Sequence, residues 1–303
     1  MKFLCICLAP AIDATVRMGK WPTDGCIIKD AADTFAPGGK AVNVARWLAK
    51  RSFAAASGKQ ADGERRESPQ HLIACGGLLG EDNAALFEKE LAKYGIEDRF
   101  VRISGSTRVN EMFVTPQGSF KVNRPAGGRF EGFEKFEKFE GFDVVVLSGS
   151  LPKGWPADTY RHLIAAAKET GAKVVLDASG AALVEGVKAR PDVIKPNADE
   201  CESLVGFVPK APEEFAKATV ALKELCGYPI ISDGASGCWF GGEFVAAPKV
   251  EVLDTTAAGD TLLAEWCWSG DVKLAVAAGS AACTMPGGEP PPVELVQKLA
   301  QSM

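Results

Sequence analysis

The sequence predicts an α/β fold, with a mostly parallel central sheet between helices and a small separate β-sheet over one edge. Short continuous apolar runs alternate with segments of helical periodicity along most of the chain. Two segments, at approximately 14–36 and 100–123, interrupt this alternation with strand-like patterns and no long helix. The chain has 303 residues and is 47% hydrophobic, which suffices for one large domain or two smaller ones.

The apolar runs predict buried strands, because uninterrupted apolar stretches between helices are typical of parallel sheets covered on both faces. We expect strands at residues 3–8, 72–75, 144–147, 174–176, 193–194 and 230–232. Helical periodicity predicts helices at residues 41–50, 83–94, 157–169, 212–225, 261–268 and 273–283. The two interrupting segments are expected to form a lid over the C-terminal edge of the main sheet, where ligands bind in doubly wound folds.

Two further segments have a distinctive composition. Residues 52–70 are polar and rich in glycine, serine and charge, which predicts a flexible surface loop. Residues 130–142 repeat phenylalanine at a three-residue spacing, which predicts a short amphipathic helix.

Composition argues against several classes of partner. The formal net charge of −5 lacks the basic excess of a nucleic-acid-binding protein. The apolar run at residues 3–8 is too short for a signal peptide, and Pro10 and Asp13 interrupt it. No run approaches the ~20 apolar residues of a membrane span, so we expect neither a nucleic-acid nor a membrane partner. The nine scattered cysteines form no CxxC pair, which favours free thiols in a reducing, cytoplasmic location.

A turn of small residues that opens into a helix predicts a phosphate-binding site late in the chain. Its sequence is Asp254-Thr255-Thr256-Ala257-Ala258-Gly259-Asp260. The first N–H groups of a helix lack internal partners and lie at its electropositive end, and small side chains let an anion approach them. Asp260 would lie beside that anion and could accept a proton from an attacking hydroxyl, which indicates phosphoryl transfer. An ordinary helix cap gives the same local pattern, so other segments must decide.

A second turn before a helix has the sequence Pro37-Gly38-Gly39-Lys40-Ala41-Val42-Asn43-Val44-Ala45. Paired glycines allow positive φ and close approach of the backbone. Asn43 would lie one turn into the helix and could bind a sugar hydroxyl. Asp13 follows the first strand closely, where a carboxylate can accept two hydrogen bonds from a diol. A plain loop-to-helix junction and a solvated turn aspartate remain open alternatives.

The segment Lys195-Pro196-Asn197-Ala198-Asp199-Glu200 combines a cation with oxygen ligands. Asn197 and Glu200 have the spacing of a capping box, which needs no metal. The same two residues could hold a hydrated Mg²⁺, since this ion takes few protein oxygens together with water and phosphate. Lys195 could counter a nucleotide phosphate.

Taken together, these motifs resemble those of ribokinase-like carbohydrate kinases of the phosphofructokinase-B type. They are most similar to the group of 1-phosphofructokinases and tagatose-6-phosphate kinases. Other matching motifs, in the family's order, are Leu8-Ala9-Pro10-Ala11-Ile12-Asp13, Thr107-Arg108-Val109-Asn110 and Ser148-Gly149-Ser150-Leu151-Pro152. The resemblance runs from about residue 4 to residue 287. It implies one ribokinase-like three-layer domain over residues 1–303, ATP and Mg²⁺ as cofactors, and a sugar or sugar phosphate as substrate.

The resemblance also implies a role for each matching residue. Asp260 would be the catalytic base, and the backbone amides of Ala257, Ala258 and Gly259 would stabilise the transferring phosphoryl group. Substrate-binding residues would be Asp13, Gly38, Gly39, Asn43, Arg108, Lys29 and Ser148. Arg108, assisted by Lys29, would bind a phosphate already on the sugar. Nucleotide-binding residues would be Lys195, Asn197, Ser232 and Gly234, and Asn197 and Glu200 would bind Mg²⁺ through water. A homodimer through the lid is also expected, because exposed sheet edges favour pairing.

Three departures from the family pattern keep alternatives open. Ala257 stands where the family has glycine, which costs about 1 kcal/mol or more if that position needs a positive φ. Ile27 and Met112 stand where the phosphosugar group often has lysine. The stretch 266–273, near the expected nucleotide base, is short. We therefore expect phosphorylation of a ketohexose phosphate, with a kinase of an unphosphorylated sugar or nucleoside, or a catalytically weak sugar-binding protein, as alternatives.

Overall fold

A large, mostly parallel sheet forms the centre of the protein. The computed structural model describes residues 1–23, 25, 27–29, 31–57, 71–124, 136 and 138–303. In chain order, its strands are β1 (Lys2–Cys7), β2 (Ala11–Arg17), β3 (Ala32–Gly38), β4 (Leu72–Gly80), β5 (Glu97–Ile103), β6 (Val109–Thr115), β7 (Gly118–Val122), β8 (Val144–Ser148), β9 (Lys173–Asp177), β10 (Val193–Ile194), β11 (Tyr228–Asp233), β12 (Gly237–Phe240) and β13 (Glu243–Ala246). Its helices are α1 (Lys40–Ser57), α2 (Ala85–Lys93), α3 (Thr159–Glu169), α4 (Gly180–Gly186), α5 (Cys201–Val205), α6 (Pro212–Lys223), α7 (Ala258–Ser269), α8 (Val272–Ala282) and α9 (Val293–Gln301).

The described part of the main sheet has nine strands in the order β13-β12-β11-β10-β9-β8-β1-β4-β5. Strand β12 pairs in antiparallel fashion with both β11 and β13, and the remaining pairs are parallel. Every strand predicted from a continuous apolar run lies in this sheet. The predicted α/β fold class is therefore confirmed.

The central strand β1 supplies apolar residues to both faces of the sheet. Phe3, Cys5 and Cys7 pack into the cluster that holds buried residues of α1, α7 and α8. Leu4 and Ile6 point the other way, into the cluster formed with α3 and α6. Because successive strand residues face opposite sides, one apolar run fills two layers of core. Each buried leucine, isoleucine or phenylalanine side chain contributes about 1.5–3 kcal/mol to folding.

A separate four-stranded sheet has the order β3-β2-β6-β7. β2 runs antiparallel to β3 and parallel to β6, and β6 forms an antiparallel hairpin with β7. Residues 97–103 belong instead to the main sheet, where they pair with β4. The small sheet thus begins at Val109 in this part of the chain rather than at residue 100. Phe100 explains the difference, since its side chain is buried against Phe87, 5.9 Å away between ring centroids.

Other elements differ from the sequence-based expectations. Helix α1 continues to Ser57, through residues expected to form a loop, because Ser52 and Ala56 face the core. The rest of that expected loop, residues 58–70, and most of the expected short helix at 130–142 lie outside the described residues. Helix α9 and the β12–β13 hairpin were not predicted. Among the described residues, no helix combines the length and apolar character that crossing a bilayer requires.

One edge of the main sheet collects the chemically important residues. The parallel strands β1, β8, β9, β10 and β11 all end there, because parallel strands present their carboxyl ends at the same edge. Helix α1 begins directly after β3. Helix α7 packs against α1, so the first turns of both helices reach this edge.

Candidate active site

A cavity of about 500 Å³ opens at this edge and is lined by residues of both sheets. Most of the predicted site residues line it, namely Asp13, Gly39, Asn43, Arg108, Lys195, Asn197, Glu200, Ser232, Ala257, Ala258, Gly259 and Asp260. Gly38 lies directly behind the lining, and Gly234 lines a second cavity. Lys29 and Ser148 do not line either one.

The turn before α7 directs backbone amides toward the cavity. Ala257 caps the helix in the left-handed conformation, with a φ of 64°. The amide of Ala258 makes a 3.3 Å turn bond to Thr255 O, whereas those of Ala257 and Gly259 bond to no described residue. Asp254 holds the turn, because its carboxylate accepts hydrogen bonds from Thr256 N (2.8 Å) and Gly287 N (3.1 Å). The helix therefore presents unpaired N–H groups that can bind an anion.

Asp260 lies in the first turn of α7 and is only 7% exposed. Asn43 Nδ2 donates a 2.8 Å hydrogen bond to its Oδ2. Burial, reinforced by the charge of Asp177, raises the pKa of Asp260 to about 6, although Asn43 and Lys40 act in the opposite direction. A carboxylate with a pKa close to the working pH is suited to accept a proton from a hydroxyl.

A buried ion-pair cluster beneath Asp260 was missed by the sequence analysis. Asp177, at the end of β9, is fully buried and binds Lys40 Nζ at 2.9 Å and Lys195 Nζ at 3.4 Å. Burial alone would raise the pKa of Asp177, but Lys195 and Lys40 outweigh it and hold that pKa below its usual value. Burial alone would likewise lower the pKa of Lys40, yet Asp177 and Asp260 raise it. Both lysines line the cavity, so they place positive charge beside the amides of α7.

The sugar-binding residues predicted on the other side of the cavity also come together. Asp13 Oδ1 accepts a 3.2 Å hydrogen bond from Asn110 Nδ2. Any side chain at Gly38 would overlap the Asp13 carboxylate, which explains why glycine stands there. Gly39 has a φ of 121°, and a Cβ there would lie 2.6 Å from Cys7 Sγ. Burial raises the pKa of Asp13, against the hydrogen bond from Asn110 and nearby positive charge.

Arg108 lines the cavity and connects the two sheets. Its guanidinium group donates to Ala9 O (3.1 Å) and Pro10 O (3.3 Å), which follow β1. It also donates to Arg124 O (3.0 Å), just beyond β7. These bonds fix the group at the cavity wall, with its charge still available to an anion.

Two predicted substrate-binding residues lie elsewhere. Ser148 is fully buried, and its hydroxyl donates to the backbone O of Asp177 at 3.3 Å. It therefore supports the buried ion-pair cluster rather than the cavity wall. Lys29 is exposed in the segment between β2 and β3.

Asn197 and Glu200 form the capping box that the sequence suggested. Glu200 Oε2 accepts from Asn197 N at 2.9 Å, and Asn197 Oδ1 accepts from Glu200 N at 2.7 Å. Within the described residues Glu200 Oε1 makes no hydrogen bond, and both side chains line the cavity. No described group of three or more acidic, histidine or cysteine side chains is arranged to hold a metal ion. This donor set fits an ion that keeps most of its water, as Mg²⁺ does.

A second cavity, of about 700 Å³, adjoins the first. Both are lined by Asn197, Ser232, Thr255, Ala258 and Gly259. Its far walls are largely apolar and include Val250, Val252, Leu262 and Val276. The stretch 266–273 is short because only Gly270 and Asp271 separate α7 from α8, and Asp271 caps α8 at once. Because they share Thr255, Ala258 and Gly259, the two cavities meet at the N-terminus of α7.

Replacing Ala257 with glycine tests the strain at this helix cap. Because an L-residue in the left-handed conformation costs about 1–2 kcal/mol, we expect Ala257→Gly to increase the free energy of unfolding by up to about 1 kcal/mol. Arg190→Gly is the control, since Arg190 is the other described non-glycine residue with a positive φ. Both changes relieve strain, but only Ala257→Gly is expected to increase kcat. Equal kcat values for the two variants would contradict a role for the Ala257 backbone in the site.

Comparisons with known proteins agree with this arrangement. Residues 8–292 match the family described as pfkB family carbohydrate kinase. The chain is 32% identical over 278 residues to a 1-phosphofructokinase of Rhodobacter capsulatus, with coverage of 87% of this chain and 82% of that one. It is 31% identical over 280 residues to a 1-phosphofructokinase of Vibrio cholerae serotype O1, with coverage of 88% and 82%.

Solved structures show the same fold at lower sequence identity. Phosphofructokinase-2 from Escherichia coli, in complex with substrates and products, superposes with a TM-score of 0.85 at 23% identity, covering 100% of this chain and 99% of that one. Ribokinase from Arabidopsis thaliana, complexed with ribose and ATP, gives a TM-score of 0.73 at 21% identity, covering 99% and 98%.

Proposed function

The chain belongs to the pfkB family of carbohydrate kinases, enzymes that transfer phosphate from ATP to a hydroxyl group, and we propose that it phosphorylates a ketohexose phosphate. The observation that carries this proposal is the meeting of two cavities at the N-terminus of α7. One cavity has hydroxyl-binding groups and a buried carboxylate, and the other has apolar walls suited to a nucleotide base. A phosphoryl group that moves from one cavity to the other must pass the unpaired backbone amides of Ala257 and Gly259 at the start of α7.

Asp260 is the base in this proposal. It accepts the proton of the acceptor hydroxyl while Asn43 orients its carboxylate. Asp13 and Asn110 bind other hydroxyls and hold the acceptor in line with the nucleotide. The α7 amides and Lys195 stabilise the negative charge of the transferring group. Mg²⁺ held through water by Asn197 and Glu200 would neutralise nucleotide phosphate charge when bound.

The preferred acceptor in this proposal is fructose 1-phosphate. Two relatives that are 32% and 31% identical and cover most of this chain are named 1-phosphofructokinases. Arg108 provides a cavity-lining guanidinium suited to a phosphate. Met112, at a position where a lysine was expected, favours an unphosphorylated sugar or nucleoside as the second candidate.

An ADP-release assay separates these candidates. Fructose 1-phosphate, fructose 6-phosphate, tagatose 6-phosphate, ribose and adenosine are compared at equal concentration with MgATP. We expect the highest kcat/KM with fructose 1-phosphate. Turnover of ribose or adenosine alone would reject a sugar phosphate as the acceptor, and ligand-induced thermal stabilisation without ADP release would indicate a binding protein.

The small sheet is proposed to act as a lid and to join two copies of the chain. Its face away from the cavity carries Phe113 and Phe120, stacked at 4.7 Å, with Trp21 packed on Phe120. Trp21 and Phe120 remain 42% and 39% exposed, which is unusual for large aromatic side chains outside an interface. Phosphofructokinase-2 from E. coli has been described in a tetrameric inhibited form.

The lid interface predicts a change in oligomeric state. Phe120→Asp is expected to convert a dimer into monomers in sedimentation velocity, because it places a charge in an apolar contact. Val220→Asp is the control, since Val220 is also apolar and is 67% exposed on α6. A wild-type protein that sediments as a monomer would contradict the proposed dimer.

A further inference from the structure

The register of the small sheet places a lysine beside Met112. In the β6–β7 hairpin Met112 lies directly opposite Lys121, and across β6 it lies opposite Thr15. Residues directly opposite each other in neighbouring strands extend to the same face. All three line the cavity. The cation absent from position 112 is therefore present on the adjacent strand.

Lys121 has no hydrogen bond or ion pair with any residue in the described part of the chain. Its positive charge nevertheless acts on the cavity carboxylates, because it lowers the pKa of Asp13 and of Asp254 against the effect of burial. The ammonium group thus lies near the acceptor site without a protein partner. A lysine in this position is available to an anionic ligand.

Arg108 fixes the strand that carries Lys121. One nitrogen of its guanidinium donates to Ala9 O beside the main sheet, and another donates to Arg124 O, just beyond the end of β7. Its charge also acts on Asp13. Arg108 and Lys121 therefore form a pair of cations around the same carboxylate.

The cavity contains two separate groups of cations. Lys40 and Lys195 are bound to Asp177, and both act on Asp260, where the phosphoryl group is transferred. Arg108 and Lys121 act on Asp13, which binds the acceptor in the proposed function. The second group lies at the acceptor end of the cavity, where its positive charge can bind an anion that the acceptor carries.

We propose that Lys121, together with Arg108, binds the phosphate that the acceptor already carries, and that Lys121 gives the enzyme its preference for phosphorylated over free sugars. This inference rests on the proposed function. It assigns the specificity to β7, whereas the sequence pattern placed the expected lysines at positions 27 and 112. Ile27 is 79% exposed and lies outside the cavity.

Moving the charge across the hairpin tests the proposal. A hydrogen bond to a charged group contributes about 1.5–3 kcal/mol, so Lys121→Met should raise the KM for fructose 1-phosphate by about 10- to 150-fold. The KM for ATP should stay unchanged, and kcat should change little. The double variant Met112→Lys/Lys121→Met returns the ammonium group to the same face and should recover most of the lost affinity. Lys89→Met, at an exposed position on α2, is the control for loss of a surface charge.

The outcomes separate the two proposals. If the wild-type enzyme phosphorylates fructose 1-phosphate but Lys121→Met leaves its KM unchanged, the role of Lys121 is wrong and the proposed function stands. An equal rise in KM for phosphorylated and free sugars would also overturn the role of Lys121, since that result indicates a structural effect. If the wild-type enzyme phosphorylates only free sugars, both proposals fail. Lys121→Gln, with thermal stabilisation by fructose 1-phosphate as the readout, checks the result independently of turnover.

Discussion

Asp260→Asn is expected to lower kcat by about 100- to 10,000-fold, because general-base catalysis contributes an effect of that size. The asparagine has nearly the same shape and can still accept the hydrogen bond from Asn43, but it cannot take a proton. Steady-state ADP release at saturating substrate measures the change. Asp143→Asn is the matched control, since Asp143 precedes β8 at the opposite edge of the main sheet. Full activity in Asp260→Asn would refute the assignment of the base.

The pKa of Asp260 adds a test based on pH. Since the pKa is about 6 in the folded protein, kcat/KM should fall as the pH decreases through 6. The contribution of Asp260 to the free energy of unfolding changes with pH in the direction opposite to that of an ion-paired acid. Between the unfolded pKa of about 4 and the folded value, the native state binds more protons, so stability decreases as the pH rises. Asp260→Asn should therefore be more stable than the wild type at pH 8, and this advantage should disappear below about pH 4.

Asp177→Asn is expected to destabilise the protein by about 3–5 kcal/mol, because it removes one partner of a buried ion pair. Lys195 is only 6% exposed and would be left without its buried carboxylate partner. The free energy of unfolding from urea denaturation at pH 7 measures the loss. Because Asp177 also raises the pKa of Asp260, the acid limb of kcat/KM in this variant should move to lower pH.

A surface acid with a similar pattern of partners provides the control for Asp177. Glu185 binds Arg161 and Lys188 but is partly exposed, so Glu185→Gln should cost less than about 1 kcal/mol. The Asp177 effect should also depend on pH. Its pKa is lowered in the folded state, so its contribution is present above the unfolded value and is lost as the pH falls through the folded one. If Asp177→Asn lowered the free energy of unfolding by no more than Glu185→Gln, the ion pairs of Asp177 would contribute little to stability.

The sequence predicted those site residues that lie where one element ends and another begins. Asp13 lies near the start of β2, a short connection after the apolar strand β1, Gly39 and Asn43 flank the start of α1, and Asp260 lies in the first turn of α7. Strand ends and helix starts are visible as local changes in periodicity, and parallel strands bring them to one edge. The capping box of Asn197 and Glu200 was predictable for the same reason, because its spacing is local.

Residues that depend on distant pairing escaped the sequence analysis. The pair between Lys40 and Asp177 joins positions 137 apart, and no local pattern encodes it. Asp177 nevertheless ends the apolar strand β9, and that position was an available signal. Helix α9 and the β12–β13 hairpin were also missed, although α9 carries an amphipathic pattern in which Val293 and Val296 are buried.

Lys121 could have been found from the hairpin turn. Thr115 pairs with Gly118 across a turn that contains Pro116 and Gln117, and this turn fixes the register that sets Lys121 opposite Met112. Turn length determines register in hairpins, so a count along both strands would have identified the pair. The departure at Met112 concerns one position, whereas the charge of the site depends on all the residues that share a face of the sheet, Lys121 among them.

The bonds that Arg108 makes to Ala9 O and Arg124 O also bear on the hydrolysis of the phosphoryl donor by water. Water is itself a nucleophile, so a phosphoryl donor beside a basic carboxylate can be hydrolysed when water reaches the site. In the proposed mechanism, the bonds of Arg108 would limit this hydrolysis, because they hold the small sheet against the main sheet at the cavity.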